Sequence, residues 1–212
     1  TISPRINLLE AKMISLLSIL MIAGTAQGQN VKSSAHDLGF AGSGANTWDG
    51  GSTEVCVYCH TPHGAQLSVA APLFNRTGTG QTYAMYTSST FTSSAIDAQP
   101  AGISLACLTC HDGNIATGTG TINPGTNGAP APGAALTGNI NLGASLVNDH
   151  PISIDYAAAI ASGSGLNAGP TSPLFNGKVE CASCHNVHDD TNPKFLLTTN
   201  NRSALCLDCH NK

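Results

Sequence analysis

Eight cysteines fall into four copies of one five-residue pattern: Cys56-Val57-Tyr58-Cys59-His60, Cys107-Leu108-Thr109-Cys110-His111, Cys181-Ala182-Ser183-Cys184-His185 and Cys206-Leu207-Asp208-Cys209-His210. No cysteine lies outside the pattern. Two thiols separated by two residues can add across the two vinyl groups of one porphyrin, and the histidine that follows then lies under the iron. Each copy therefore reads as an attachment site for a covalently bound haem c. Disulfides are the usual fate of exported cysteines, and Cys181 to Cys209 has roughly the spacing of a zinc ribbon. Neither alternative accounts for a histidine directly after every pair.

The remaining histidines fit the same chemistry. His60, His111, His185 and His210 are the proximal ligands, and four irons each have one further axial position. Exactly four histidines remain to fill them: His36, His63, His150 and His188. Met13 and Met21 lie in the leader described below, which leaves Met85 as the one competing thioether. The expectation is bis-histidine ligation at all four irons, with low potentials. His63 and His188 each follow a proximal histidine by three residues, in His60-Thr61-Pro62-His63 and His185-Asn186-Val187-His188. Three residues cannot carry the chain from the proximal to the distal face of one haem. Pro62 holds Thr61 extended, which carries His63 outward. Each of these histidines must serve a second haem close by. The simplest assignment gives His63 to the second haem and His188 to the fourth, with His36 and His150 serving the first and third; a haem of a neighbouring subunit is the alternative for any of them.

The elements that position these residues have little to work with. Of 212 residues only 9% are charged and 5% aromatic, while glycine numbers 23 and proline 11. Soluble globular chains carry about 25% charged residues. Such a sequence builds no large apolar core of its own, so the predicted fold is mostly irregular coil with short helices and a few short strands, templated by the haems of a multihaem cytochrome c. The net charge of −4 and the lack of a basic stripe disfavour nucleic acid. Each haem brings two propionates, more acid than the few lysines and arginines can pair.

Residues Met13 to Ala23 form one apolar run preceded by Arg5 and Lys12 and followed by small residues. This is the pattern of a secretory signal peptide over 1–28, too short for the roughly 20 residues that span a bilayer. No other segment is apolar enough to span one. The expected mature protein is exported. The order His36, CxxCHxxH, CxxCH recurs as His150, CxxCHxxH, CxxCH, which divides it into an N-terminal dihaem module, 29–125, and a C-terminal one, 126–212. Pro-Leu-Phe at 72–74 and Phe195-Leu196-Leu197 occupy similar places in the two. Residues 113–148 and 157–172 read as small-residue linkers, with a pair of short strands or an ordered subunit contact as the alternative, 82–96 as an edge strand, and Trp48 as a residue that packs on a porphyrin.

The stretches Ser34-Ala35-His36-Asp37-Leu38, Cys56 to His63, Pro72-Leu73-Phe74-Asn75-Arg76, Thr82-Tyr83-Ala84-Met85-Tyr86, Cys107 to Gly113 and Asp149-His150-Pro151-Ile152-Ser153 resemble the OmcE-type extracellular tetrahaem cytochromes. The resemblance implies head-to-tail polymerisation of identical subunits into a filament with a continuous haem chain. A histidine of one subunit then completes a haem of the next, and His36, near the mature N-terminus, is the candidate. It also implies upstream periplasmic or outer-membrane cytochromes as donors, extracellular acceptors, and an extracellular or cell-surface location, the periplasm being the alternative. A monomeric electron shuttle has the same haem count. A multihaem reductase needs an iron with an open position, which eight histidines for eight positions do not leave. No catalytic acid–base constellation stands out, so the chain is expected not to be an enzyme.

Overall fold

The computed structural model describes residues 31–39, 54–78, 80–91, 95–114, 123 and 135–211. The leader, Trp48 and most of the Gly/Pro-rich stretch before residue 135 lie outside them. The described chain is largely coil, with three short helices and one two-stranded sheet. No helix among the described residues is long and apolar enough to cross a membrane.

Helix α1, Ser104–His111, contains the second attachment motif. A helix puts Cys107 one turn before both Cys110 and His111, on one face. Leu108 and Thr109 are buried behind that face. The helix stops at Asp112, and Gly113 follows at φ +76, the left-handed conformation that favours glycine. A Cβ there would come within 2.9 Å of the Asn141 side chain.

Strands β1, Ile154–Asp155, and β2, Lys178–Val179, pair antiparallel with Ile154 opposite Val179. Asp155 then caps helix α2, Tyr156–Ala161, its carboxylate accepting from the Ala158 amide at 2.8 Å. The stretch 157–172 expected to be a linker is therefore helical over its first residues, to Ala161. Ala is the best helix former, Asp155 supplies the start, and Tyr156 and Ala159 bury against Ile154 and Val179. The expected edge strand over 82–96 is absent among the described residues. Ala84 makes one parallel bridge to Ser145 and Ile96 one antiparallel bridge to Ile154. Tyr83, Leu108 and Leu146 form a second cluster, with Met85 packed against it, and Leu38 and Tyr58 a third. Helix α3, Ala204–Cys209, carries the fourth motif.

Candidate haem-binding sites

All four attachment motifs adopt one helical turn. The amide of His60 donates to Cys56 O at 2.8 Å, that of His185 to Cys181 O at 3.0 Å and that of His210 to Cys206 O at 2.8 Å, while His111 ends α1. The turn places both thiols and the imidazole on one side of the chain.

Three proximal imidazoles are oriented in the same way. The Nδ1–H of His60 donates to Pro72 O at 2.7 Å, that of His111 to Ile140 O at 2.7 Å, and that of His185 to Lys194 O at 2.8 Å. A proton fixed on Nδ1 leaves the Nε2 lone pair for a metal, and the bond to the carbonyl sharpens its aim. At the first and third motifs the whole strap is duplicated. Thr61 N donates to Leu73 O and Asn186 N to Phe195 O; Asn75 N donates to Cys59 O and Leu197 N to Cys184 O. Leu73 and Phe195 both sit at positive φ, 52 and 59. The equivalence therefore runs Leu73-Phe74-Asn75 to Phe195-Leu196-Leu197, one residue out of step with the sequence match of 72–74 to 195–197. Side-chain type misled that match, because the hydrogen bonds belong to the backbone.

The fourth motif is held by residues 165–172 instead. Asn167 N donates to Cys209 O at 2.7 Å and Asn211 N to Gly165 O at 2.9 Å. Asp208 accepts from Thr171 N, Thr171 Oγ1 and Ser172 N, with the Thr171 bonds pulling its carboxyl well below the usual range. Tyr156 donates its hydroxyl to Asn167 O at 2.8 Å. Burial, then Cys209, pushes the phenol up to about 12, so it stays a donor. None of these polar supports carries a spacing signal in the sequence.

The structure brings six of the eight histidines together in pairs. Ring centroids of His36 and His111 are 6.3 Å apart, those of His60 and His188 5.9 Å, and those of His150 and His210 6.2 Å. Metal–imidazole bonds of about 2 Å on both sides of one ion put the two centroids about 6.3 Å apart. Each pair joins one proximal with one remaining histidine, and each separation fits one iron. Burial, then His111, His185 and His188, pulls His36 down to about 4, and its Nδ1 has no hydrogen-bond partner. It is neutral above that pH, the form that ligates. Burial and then His60 lower His188 likewise. His150 donates from Nδ1 to Pro151 O at 3.0 Å, again leaving Nε2 for a metal.

The pairs differ from the simplest sequence assignment. His188 faces the first motif rather than the fourth, His36 the second rather than the first, and His150 the fourth rather than the third. Nor does His36 lie ready to cross to another subunit, since it faces His111 and packs edge-on against Phe195 at 4.5 Å. A self-bonded turn holds it there: Asp37 accepts from Ser33 N and Gly39 N, and Leu38 packs on Tyr58. His63 and His185 are both exposed, and no ring contact joins either to another described residue. Met85 packs in the Tyr83–Leu108–Leu146 cluster.

Burial and then Cys110 push Cys59 up to about 11; Cys107 lies against Cys181; burial and then Cys209 push Cys184 up. The buried Arg76 lies near Cys59 and pulls it the other way.

Residues 172–212 match the family model described as the doubled CXXCH motif. The doubled motif indicates a multihaem cytochrome of the c type, in which such motifs bind haem covalently. It spans the third and fourth attachment motifs and the strap between them. No curated protein matches the chain.

Proposed function

We propose that the chain carries four haems c, one on each attachment motif, and passes electrons along them outside the cell as a subunit of a filament. When bound, haem supplies an iron that cycles between the ferric and ferrous states. The chain's part is to fix two imidazoles on each iron and to hold the four sites in a row. The observation that carries the reading is the set of three histidine pairs at the separation one iron requires. Cysteines 56, 59, 107, 110, 181, 184, 206 and 209 anchor the porphyrins. Six imidazoles ligate within the chain. With every axial position taken by histidine, no substrate reaches an iron, and the protein performs no reaction other than electron transfer.

The unmatched residues support polymerisation. His185 offers a proximal imidazole and His63 an outward-facing one, so one subunit's His63 can complete the third site of the next. This role passes to His63 from His36, which is engaged internally. The apolar leader supports export, with donors among envelope cytochromes and acceptors outside the cell.

Electron microscopy of the secreted haem-positive fraction tests the filament, and pyridine haemochrome titration tests the haem count. Regular filaments that disappear in His63→Ala, with four haems per chain in both proteins, are the expected result. Monodisperse particles of the wild-type protein at several salt and pH values would replace the filament with the monomeric shuttle.

A further inference from the structure

A carboxylate is buried at the joint between the two halves of the chain. Glu180 precedes Cys181 and is 1% exposed. Its Oε2 accepts from the hydroxyl of Ser104 and from that of Ser153, the latter at 3.1 Å. Ser104 Oγ in turn accepts from the Cys181 amide at 2.9 Å, and Ser153 Oγ accepts from the Ala101 amide at 2.9 Å. The Glu180 amide donates to Ser183 Oγ at 3.0 Å. Ser104 and Ser153 are both fully buried. One oxygen therefore ties three segments: the start of α1, the residue before β1, and the third attachment motif.

The location gives the network its meaning. Ser104 lies three residues before Cys107, and Cys107 lies against Cys181. The second and third motifs meet here, and they belong to different halves of the sequence. Lys178 pairs with Asp97, at 2.5 Å, so its ammonium is directed to another carboxylate. Gly102, beside Glu180, holds the left-handed φ of +56 that favours glycine. Burying a carboxylate is costly, and a chain that is 9% charged spends one of its few charges here. A motif that only needed a cap could use its own Ser183. The bonds to Ser104 and Ser153 go beyond that need.

We propose that Glu180 is a positioning residue that sets the second and third haem sites in register, so that electrons cross between the N-terminal and C-terminal pairs through the gap it fixes. The inference rests on the haem reading of the motifs. Its test uses the purified haem-loaded protein and three variants: Glu180→Gln, Glu180→Ala and Ser104→Ala. The readouts are haem content per chain, the Soret circular-dichroism couplet, which reports the relative placement of neighbouring haems, and the midpoint potentials. The amide oxygen of Gln can accept from both serines, so Glu180→Gln keeps the wild-type couplet. Glu180→Ala and Ser104→Ala lose couplet amplitude at unchanged haem content. Should Glu180→Ala fail to mature, Ser104→Ala removes a single hydroxyl and reads the same contact. Wild-type couplets and potentials in both alanine variants overturn the proposal. So does an equal change in Gln and Ala, which would show that charge and not position matters. A wild-type protein without haem would overturn the haem reading instead.

Discussion

His188 shows how far a side chain's partner can lie from its place in the sequence. Its ring lies 5.9 Å from that of His60, with the two planes 19° apart, and the motif of His60 lies well over a hundred residues earlier. Replacing His188 with alanine is expected to leave one haem per chain high-spin by ferric EPR, while haem content stays at four. Imidazole added to the buffer should restore the low-spin signal. An unchanged low-spin spectrum would place His188 elsewhere. Glu180 adds a pH dependence of its own. Burial raises its carboxyl above the ordinary 4.5, against the lowering by Ser104 and Ser153. The folded chain then holds the proton more tightly than the unfolded one. The favourable contribution is full below the unfolded pKa and is lost as pH rises through the folded one. Glu180→Gln lacks this loss, so its denaturation midpoint relative to wild type should rise from pH 4.5 to pH 7. A pH-independent difference would contradict the sign.

At the scale of the element, α1 and α2 persist because one has a specific stop, at Gly113, and the other a specific start, at Asp155. Asp155 caps α2 and also ends β1, so one side chain defines the corner on which Tyr156 turns toward the fourth site. Asp155→Ala is expected to cost about 1 kcal/mol, with Asp155→Ser recovering most of it. Urea denaturation followed by far-UV circular dichroism measures both. Gly113→Ala should cost as much or more, because the left-handed φ and the Asn141 side chain both oppose a Cβ. If Gly113→Ala is neutral, Asn141 moves aside and the bond from His111 to Ile140 O survives the move. The straps over the first and third motifs were half-legible in the sequence. Their apolar residues mark the place, but the left-handed residues Leu73 and Phe195 set the register, and no residue type announces them.

At the scale of the whole molecule, side-chain packing is thin among the described residues. The clusters around Ile154, Tyr83 and Leu38 are small, and Leu67, Leu73, Ile140, Val147, Leu197 and Leu207 remain exposed. On the proposed haem loading, stability depends on the prosthetic groups, as bound groups stabilise the state that binds them. Chain expressed without haem attachment is expected to show the lost near-UV signal of a loosely packed state and to be digested by protease far faster than the haem-loaded form. Equal resistance would mean that the small clusters suffice. The pairing of His60 with His188 also joins the two halves, so the boundary near residue 125 marks a repeat in the sequence across which the site geometry runs.

The sequence alone determined the chemistry. Thiols two residues apart with a histidine beside them can be read without a fold, because the porphyrin's vinyl spacing and the iron's reach act over five residues. It also determined the eight candidate ligands and the coil-rich architecture, since so few apolar and charged residues leave little else to build. Tertiary structure decided which histidine faces which. Ligand pairing depends on where distant segments meet, and those meetings are set by backbone straps, a buried carboxylate and the left-handed turns at Leu73 and Phe195, none of which repeats at a fixed spacing. His36, near one end of the expected mature chain, looked free to leave; the Asp37 turn and the Leu38–Tyr58 contact hold it against His111.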